Sequence, residues 1–201
     1  MASRLSADAR RRQLLDVAAS HFAGHGFHAA SMAELADLAG VTKPVVYQHF
    51  RSKRDLYREV VEDSGRRLLD AILARTAAAA GPREQVEAGF EAYFRFVDEH
   101  PDAFHVLFGS DARRDGELLA AVDGVERAIA DTIAGLIEAG LDDDHRVTLG
   151  HAIVGLGEVV GRRWLAGGRT TDAASIAAEV ADLAWNGLRG VHPHDHRPPT
   201  T

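Results

Sequence analysis

A short segment near the N-terminus carries side chains that suit the reading of base-pair edges. Lys43 and Gln48 have hydrogen-bond donors and acceptors that match purine edges in a DNA groove. Pro44 and Val45, between them, offer apolar contact suited to a thymine methyl group. If this segment is a helix with these four side chains turned outward, it has the composition of a DNA-reading surface.

Groups suited to phosphate oxygens flank this segment. Tyr47 and His49 lie at its edges, and Thr42 lies at its start. Ser52 then begins a further helix whose first turn carries Lys53, and a helix N-terminus with a cation beside it favours a phosphate group. We therefore predict phosphate contacts at Thr42, Tyr47, His49 and Lys53.

Two short predicted helices hold these groups in place. Ser31 and Glu34 have the spacing of a capping box, and Gly40 can adopt the left-handed conformation that ends a helix. Thr42 is a good N-cap for a second helix, and Pro44 is tolerated in its first turn. Helices joined by so few residues cross steeply, which is the geometry that seats the second helix in a major groove.

The predicted inner faces of these two helices are apolar. Val46 and Phe50 are four residues apart, so both can face inward. We expect them to pack on Leu35 and Leu38 of the preceding helix. The polar side chains of the second helix are then left on the opposite face.

Several short motifs follow one another over roughly the first sixty positions: Gly26-Phe27, Ser31-Met32, Leu35-Ala36, Ala39-Gly40-Val41, Lys43-Pro44, Tyr47-x-His49-Phe50 and Ser52-Lys53-x-x-Leu56. With these motifs, the whole segment resembles the DNA-binding part of the TetR (tetracycline repressor) family. The resemblance implies an all-α fold and a homodimeric bacterial regulator, usually a repressor, released from a palindromic DNA operator by a small molecule. Carried over by position, it implies base contacts at Lys43, Pro44 and Val45, and phosphate contacts at Ser31, Tyr47, His49 and Lys53.

Charge is divided unevenly along the chain. The net charge is −7, but residues 1–60 hold nine Lys or Arg against six Asp or Glu. Residues 61–201 hold fourteen against twenty-four, so the basic part is the part predicted to meet DNA. There is no cysteine, no apolar run near the ~18 residues that cross a membrane, and no signal-peptide pattern at the start. We expect a cytoplasmic bacterial protein that needs no cofactor and no membrane.

Helical patterns continue to the end of the chain, with no strand-like alternation. The first helix is predicted from about Ala7 to Ala23, with Gly24 as its end. We expect a DNA-binding domain at 1–51, an effector-binding and dimerisation domain at 52–191, and a disordered tail at 192–201 rich in His and Pro. The long helix that begins at Ser52 leads from the first domain into the second, so it is the expected coupling element.

The last two predicted helices have the composition of a dimer surface. Glycines alternate there with branched apolar residues, and each glycine in a helix interior costs about 1 kcal/mol relative to alanine. Close approach of a partner helix explains that composition, and close packing within the chain is the alternative. The predicted interface residues are Ile153, Gly157, Val160, Gly161, Ile176, Val180 and Leu183.

Aromatic side chains of the central helices are candidates for an effector pocket. These are Phe90, Tyr93, Phe94, Phe104, His105, Phe108 and Trp164. Aromatic residues at helical spacing also build ordinary cores, which is the competing interpretation. An apolar pocket of this kind favours an apolar or acyl-chain-like effector.

Three other classes of function are weaker. A metal-responsive regulator would use histidines, but only His21 and His25 have the spacing of a helical metal pair, and Gly24 is expected to end the helix between them. An enzyme lacks support because there is no phosphate loop, no nucleophile-elbow motif and no cysteine. A ligand-independent architectural DNA binder does not need a second domain of this length.

Overall fold

The computed structural model describes residues 5–109, 115–137 and 140–191. The described chain is all-α, as predicted, with nine helices and no strand in these ranges. The predicted tail at 192–201 lies outside the described residues. The helices are α1 Ala7–Ala29, α2 Met32–Leu38, α3 Lys43–His49, α4 Lys53–Thr76, α5 Pro82–Glu99, α6 Pro101–Phe108, α7 Gly116–Leu136, α8 Asp143–Ala166 and α9 Ala173–Leu188.

Helix α1 does not end at Gly24, so that prediction is wrong. The helix continues to Ala29, and its backbone is interrupted at Gly26, which has φ 76° and ψ 162°. Only glycine adopts such a conformation readily. Gly24 keeps a helical backbone, and the positive φ that breaks the helix is taken up two residues later, by Gly26.

The chain divides into two compact units. Unit 1 comprises residues 1–70 and 96–126, and unit 2 comprises residues 71–95 and 127–201. Helices α4, α5 and α7 each contribute one part to each unit. The functional division predicted at residues 51 and 52 stays a prediction.

Unit 1 has an aromatic core beneath the two short helices. The ring of Tyr57 on α4 lies 5.0 Å from that of Phe22 and 5.3 Å from that of Phe27, both in edge-to-face orientation. Helix α6 packs against α1, and the Ser20 hydroxyl donates a hydrogen bond to Asp102. These contacts fix α1 and α4 as the base on which α2 and α3 rest.

Unit 2 is held by an aromatic cluster and by close helix packing. Phe94 on α5 lies between Tyr93 and Trp164, with ring centroids 5.2 Å and 6.0 Å away. The Trp164 indole N–H donates to the Thr171 carbonyl at 2.7 Å, so its polar atom is satisfied. At Gly150, α8 comes so near α7 that an added Cβ would lie 2.3 Å from a backbone oxygen.

Among the described helices, none combines the length and the apolar character that crossing a bilayer requires.

Candidate nucleic-acid interface

Helix α2 begins and ends as its sequence predicts. The Ser31 hydroxyl accepts the Glu34 amide at 3.2 Å, and the Glu34 carboxylate accepts the Ser31 amide at 3.0 Å. Gly40 has φ 65°, and the Val41 and Gly40 amides bond back to the carbonyls of Ala36 and Asp37. This is the Schellman arrangement, in which a left-handed residue satisfies the last carbonyls of a helix. Local backbone bonds therefore close the turn between α2 and α3.

Helix α3 turns its apolar side inward, as predicted. Val46 and Phe50 are fully buried, and Leu35 of α2 is fully buried as well. Leu38, however, is 61% exposed, so its predicted inward position is wrong. The buried stripe of α2 follows Met32, Leu35, Ala36 and Ala39, and Leu38 lies about a third of a turn away from it.

The outward face of α3 carries the predicted base-reading side chains. Lys43, Pro44 and Gln48 are exposed, and Val45 is half-buried. The Lys43 ammonium lies 5.9 Å from the centre of the Tyr47 ring, at the outer limit of a cation–π contact. The structure thus places all four predicted base-reading residues on one seven-residue helix, three of them exposed and one half-buried.

Several predicted phosphate contacts have a polar group available. Thr42 caps α3 by position but makes no side-chain cap bond, and it is exposed. Tyr47 is also exposed, and His49 is half-buried at the end of α3. The bond at Ser31 uses an oxygen lone pair, so the hydroxyl proton can still be donated to a phosphate.

Lys53 is engaged inside unit 1, contrary to the simple expectation of an outward cation. Its ammonium donates to the carbonyls of Phe27, His28 and Ala30 at 2.7, 3.2 and 2.8 Å, and lies 4.5 Å from the centre of the Phe27 ring. An ammonium has three protons, so all of them are used. A phosphate contact by Lys53 would require one of these bonds to break. The geometry instead gives Lys53 the role of fixing the segment between α1 and α2.

Two residues of α1 that the motif does not include also support α2 and α3. The Gln13 side-chain amide donates to the Ala39 carbonyl at 3.2 Å, at the end of α2. Arg11 pairs with Glu59 of α4 and lies 5.1 Å from the centre of the Phe50 ring. These partners are 26 to 48 residues apart, so no local sequence pattern indicates them.

Comparison with known proteins agrees with this geometry. The family described as "Bacterial regulatory proteins, tetR family" matches residues 14–60, and the one described as "Tetracyclin repressor-like, C-terminal domain" matches residues 82–187. The chain belongs to the TetR family. It is therefore a DNA-binding transcriptional regulator, and the helix-turn-helix formed by α2 and α3 is its DNA-binding element.

Full-length relatives support this assignment. The chain is 32% identical over 191 residues to the HTH-type transcriptional activator FasR of Mycolicibacterium smegmatis, covering 94% of this chain and 87% of the relative. A TetR-like transcriptional regulator from Rhodococcus sp. RHA1 is 29% identical with a TM-score of 0.76, over 94% of this chain and 100% of that one. The regulator FadR from Bacillus subtilis, solved in complex with stearoyl-CoA, is 17% identical with a TM-score of 0.76, over 90% and 99% of the two chains. At that identity FadR shows a shared fold only.

The aromatic residues predicted to line an effector pocket are distributed over both units of this TetR-family regulator. Phe104, His105 and Phe108 belong to unit 1, where His105 is exposed and the two phenylalanines are buried. The members in unit 2 are all buried, and they are Phe90, Tyr93, Phe94 and Trp164. Unit 2 thus holds the larger cluster.

The predicted dimer residues fall into two groups. Gly157, Gly161 and Val180 are buried within the single chain, and a Cβ at Gly157 would lie 3.0 Å from the Tyr93 ring. These three face the inside of the protomer, so the alternative of close packing within the chain is correct for Gly157. The other residues have surface to offer a partner: Leu183 is 64% exposed, and Ile153, Val160 and Ile176 are half-buried.

The histidine pair of the metal hypothesis differs from its prediction. Because α1 continues through Gly24, His21 and His25 share one helical turn, with ring centroids 4.5 Å apart. The His25 Nδ1 atom lies 3.2 Å from the His21 carbonyl, and Glu34 lies 3.4 Å from His21 Nε2. Across residues 5–109, 115–137 and 140–191, no group of three or more His, Cys, Asp or Glu side chains is arranged to hold a metal ion.

Proposed function

We propose that two copies of this chain bind a palindromic operator, each through α3, and that a small apolar or acyl-chain-like effector releases them. The observation that carries the proposal is the surface of α3: Lys43, Pro44 and Gln48 are exposed and Val45 is half-buried, while Val46 is buried. One short helix contacts too few base pairs for specificity, so a two-fold pair of helices about 34 Å apart is expected. Such a regulator acts in the bacterial cytoplasm and needs no catalytic activity.

In this proposal α3 reads bases and the groups around it hold the backbone. Lys43 and Gln48 bond purine edges, and Pro44 and Val45 contact thymine methyl groups. The phosphate contacts come from Ser31, Thr42, Tyr47 and His49. Lys53 adds a positive charge beside the α1–α2 segment, while its ammonium donates hydrogen bonds to the carbonyl oxygens of that segment.

Selection of sheared genomic DNA by the purified protein, followed by sequencing, tests DNA binding. The expected result is a short palindrome upstream of a few genes for the wild-type chain, and loss of that sequence for Lys43→Ala. Arg83→Ala is the matched control, because it removes one exposed cation from unit 2 and keeps α3 intact. Enrichment without any shared sequence would instead indicate an architectural DNA binder.

The dimer surface is proposed to comprise the partly exposed residues of α8 and α9, namely Ile153, Val160, Ile176 and Leu183. Leu183→Glu places a charge at its most exposed apolar position and is expected to yield monomers in sedimentation or light scattering. Leu38→Glu is a matched control, since Leu38 is 61% exposed against 64% for Leu183 but lies on α2. Equal dissociation by both variants, or by neither, would contradict this surface.

The effector class rests on the buried aromatic residues of unit 2: Tyr93, Phe94 and Trp164, whose rings are neighbours, and Phe90. The B. subtilis FadR with the shared fold was solved with stearoyl-CoA, which makes an acyl-CoA the first probe. Stearoyl-CoA is expected to release the recovered operator, whereas free CoA is not. Release by free CoA, or none by any acyl compound, would reject an acyl-chain effector.

The sign of regulation is proposed to be repression. One relative, FasR, is an activator, so a reporter gene downstream of the recovered operator decides the sign. Expression that rises when the chain is deleted supports repression. Expression that falls identifies an activator.

A further inference from the structure

The first turn of α4 is bonded to three different parts of unit 1. Lys53 holds the segment between α1 and α2 through carbonyl oxygens. The Asp55 carboxylate accepts the Arg51 amide at 2.9 Å, within the short link from α3 to α4. Arg54, the residue between them, reaches the start of α7. The position of α3 therefore depends on where this single turn is held.

Arg54 is bound by two acidic residues at the start of α7. Its guanidinium forms two parallel bonds to the Asp115 carboxylate, at 2.9 and 3.0 Å, and one bond of 2.7 Å to Glu117. A bidentate arginine–carboxylate pair fixes orientation as well as distance. The Asp115 side chain is only 15% exposed, although that of Arg54 is 45% exposed. Arg54 is thus committed to α7 through three charge-assisted bonds.

Asp115 has a second task in the same place. Its carboxylate also accepts the amides of Glu117 and Leu118, at 3.1 and 3.4 Å, and so caps α7. Burial of the carboxyl group raises the pKa of Asp115, but the hydrogen bonds from Arg54 and from these amides outweigh burial and leave that pKa below its ordinary value. The pair with Arg54 therefore stays ionised at neutral pH.

A separate contact further along shows that α4 and α7 lie side by side. A Cβ at Gly65 of α4 would lie 2.2 Å from the Val125 side chain of α7, so the two helices touch there. Gly65 follows Arg54, and Val125 follows Asp115, by nearly the same number of residues, about 16 Å of helix in each case. The two helices therefore run in the same direction where they touch in unit 1, and the ion pairs join them at the end nearest α3.

We propose that Arg54 is a positioning residue for DNA recognition: by joining the first turn of α4 to the start of α7, it holds α3 in the orientation that fits an operator, and it does not bind phosphate itself. The proposal rests on operator binding by α3. It gives α7 a direct part in setting the recognition helix, beside α4. Any change that shifts α7 along α4 would then weaken DNA binding without touching a DNA-contacting residue.

The test compares variants for binding to the operator duplex across a range of salt concentrations. Arg54→Lys keeps the charge and loses the bidentate bonds, while Asp115→Asn removes the charge and keeps a capping side chain. Each is expected to weaken operator binding roughly five- to tenfold, with the salt dependence unchanged. The double variant is expected to be no weaker than either single one, because both remove the same contact. Arg75→Lys, which changes another exposed ion pair of α4, is the matched control.

Three outcomes would overturn the proposal. Tighter binding by Asp115→Asn, with a steeper salt dependence, would mean that Arg54 is a phosphate ligand shielded by the acids. Unchanged affinity in both single variants would mean that the pair positions nothing. Additive losses in the double variant would mean that the two residues act separately. The wild-type affinity for the same duplex tests operator binding itself, so failure of the proposed function is distinguishable from failure of this inference.

Discussion

Replacing Lys53 by methionine removes the ammonium group and keeps the length of the side chain. In the structure this ammonium donates to the carbonyls of Phe27 and Ala30 at 2.7 and 2.8 Å, in partly buried positions, and to the exposed His28 carbonyl at 3.2 Å. Each of the two partly buried bonds contributes about 1 kcal/mol. The contact with the Phe27 ring, at 4.5 Å, adds roughly 0.5–1 kcal/mol. Lys53→Met is therefore expected to destabilise the chain by about 2–3 kcal/mol.

Thermal unfolding measures this loss of stability, and operator binding shows whether Lys53 also contacts DNA. For a chain of this length, the loss corresponds to a Tm lower by roughly 5–10 °C. Lys43→Met is the matched control, because Lys43 is exposed and its loss is expected to change stability by less than about 0.5 kcal/mol. The control should weaken operator binding by about 1–3 kcal/mol instead. Two results together would refute the structural role and identify Lys53 as a phosphate ligand: an unchanged Tm for Lys53→Met, and a slope of log affinity against log salt concentration that is smaller by about one.

Three further predictions follow from other contacts. Gly150→Ala is expected to destabilise unit 2 by more than about 2 kcal/mol in denaturant unfolding, because the new methyl group would meet a carbonyl oxygen of α7. Gly155→Ala, at a position of the same helix with open space, should be neutral or stabilising, and equal losses in the two variants would contradict the close approach at Gly150. Hydrogen bonding by Ser31 lowers the pKa of Glu34 from 4.5, so the ionised carboxylate stabilises the native state at pH 7 and this contribution is lost as the pH falls through the lowered pKa. The difference in Tm between wild type and Glu34→Gln should therefore shrink over that pH range, and a constant difference would contradict the capping box. Burial and the neighbouring Arg67 lower the pKa of His100 from 6.5, so the native state disfavours the protonated imidazole and the Tm should fall as the pH drops below 6.5. The fall in Tm should be smaller for His100→Gln, and an equal fall in both proteins would contradict this role of His100.

The helix-turn-helix could be predicted because its signals are local. The caps at Ser31 and Glu34 and the turn at Gly40 are satisfied by partners within five residues, so the sequence pattern contains the whole interaction. The buried side of α3 follows equally from the spacing of Val46 and Phe50. Capping boxes and glycine-terminated helix ends can be recognised from residue type and spacing alone.

The contacts that orient this motif could not be predicted in the same way. Lys53 meets carbonyl oxygens 23 to 26 residues earlier, and Arg54 meets carboxylates 61 to 63 residues later. Nothing in the spacing of the sequence distinguishes these two cations from outward phosphate ligands, since both lie in the first turn of a helix. The sequence predicts that Gly24 ends α1, yet the break occurs at Gly26, and the pattern of glycines alone does not distinguish the two positions. Long-range contacts decide the positions of Lys53 and Arg54.

The most direct test of base reading by α3 is a specificity profile. Operator duplexes carrying every single base-pair substitution would be measured against the wild-type chain, Lys43→Ala and Gln48→Ala. If α3 reads bases as proposed, each variant loses discrimination at one symmetric pair of positions, by about 1–3 kcal/mol, and keeps the wild-type preference elsewhere. A uniform loss of affinity at all positions would mean that these side chains contact only the DNA backbone, and would contradict the account.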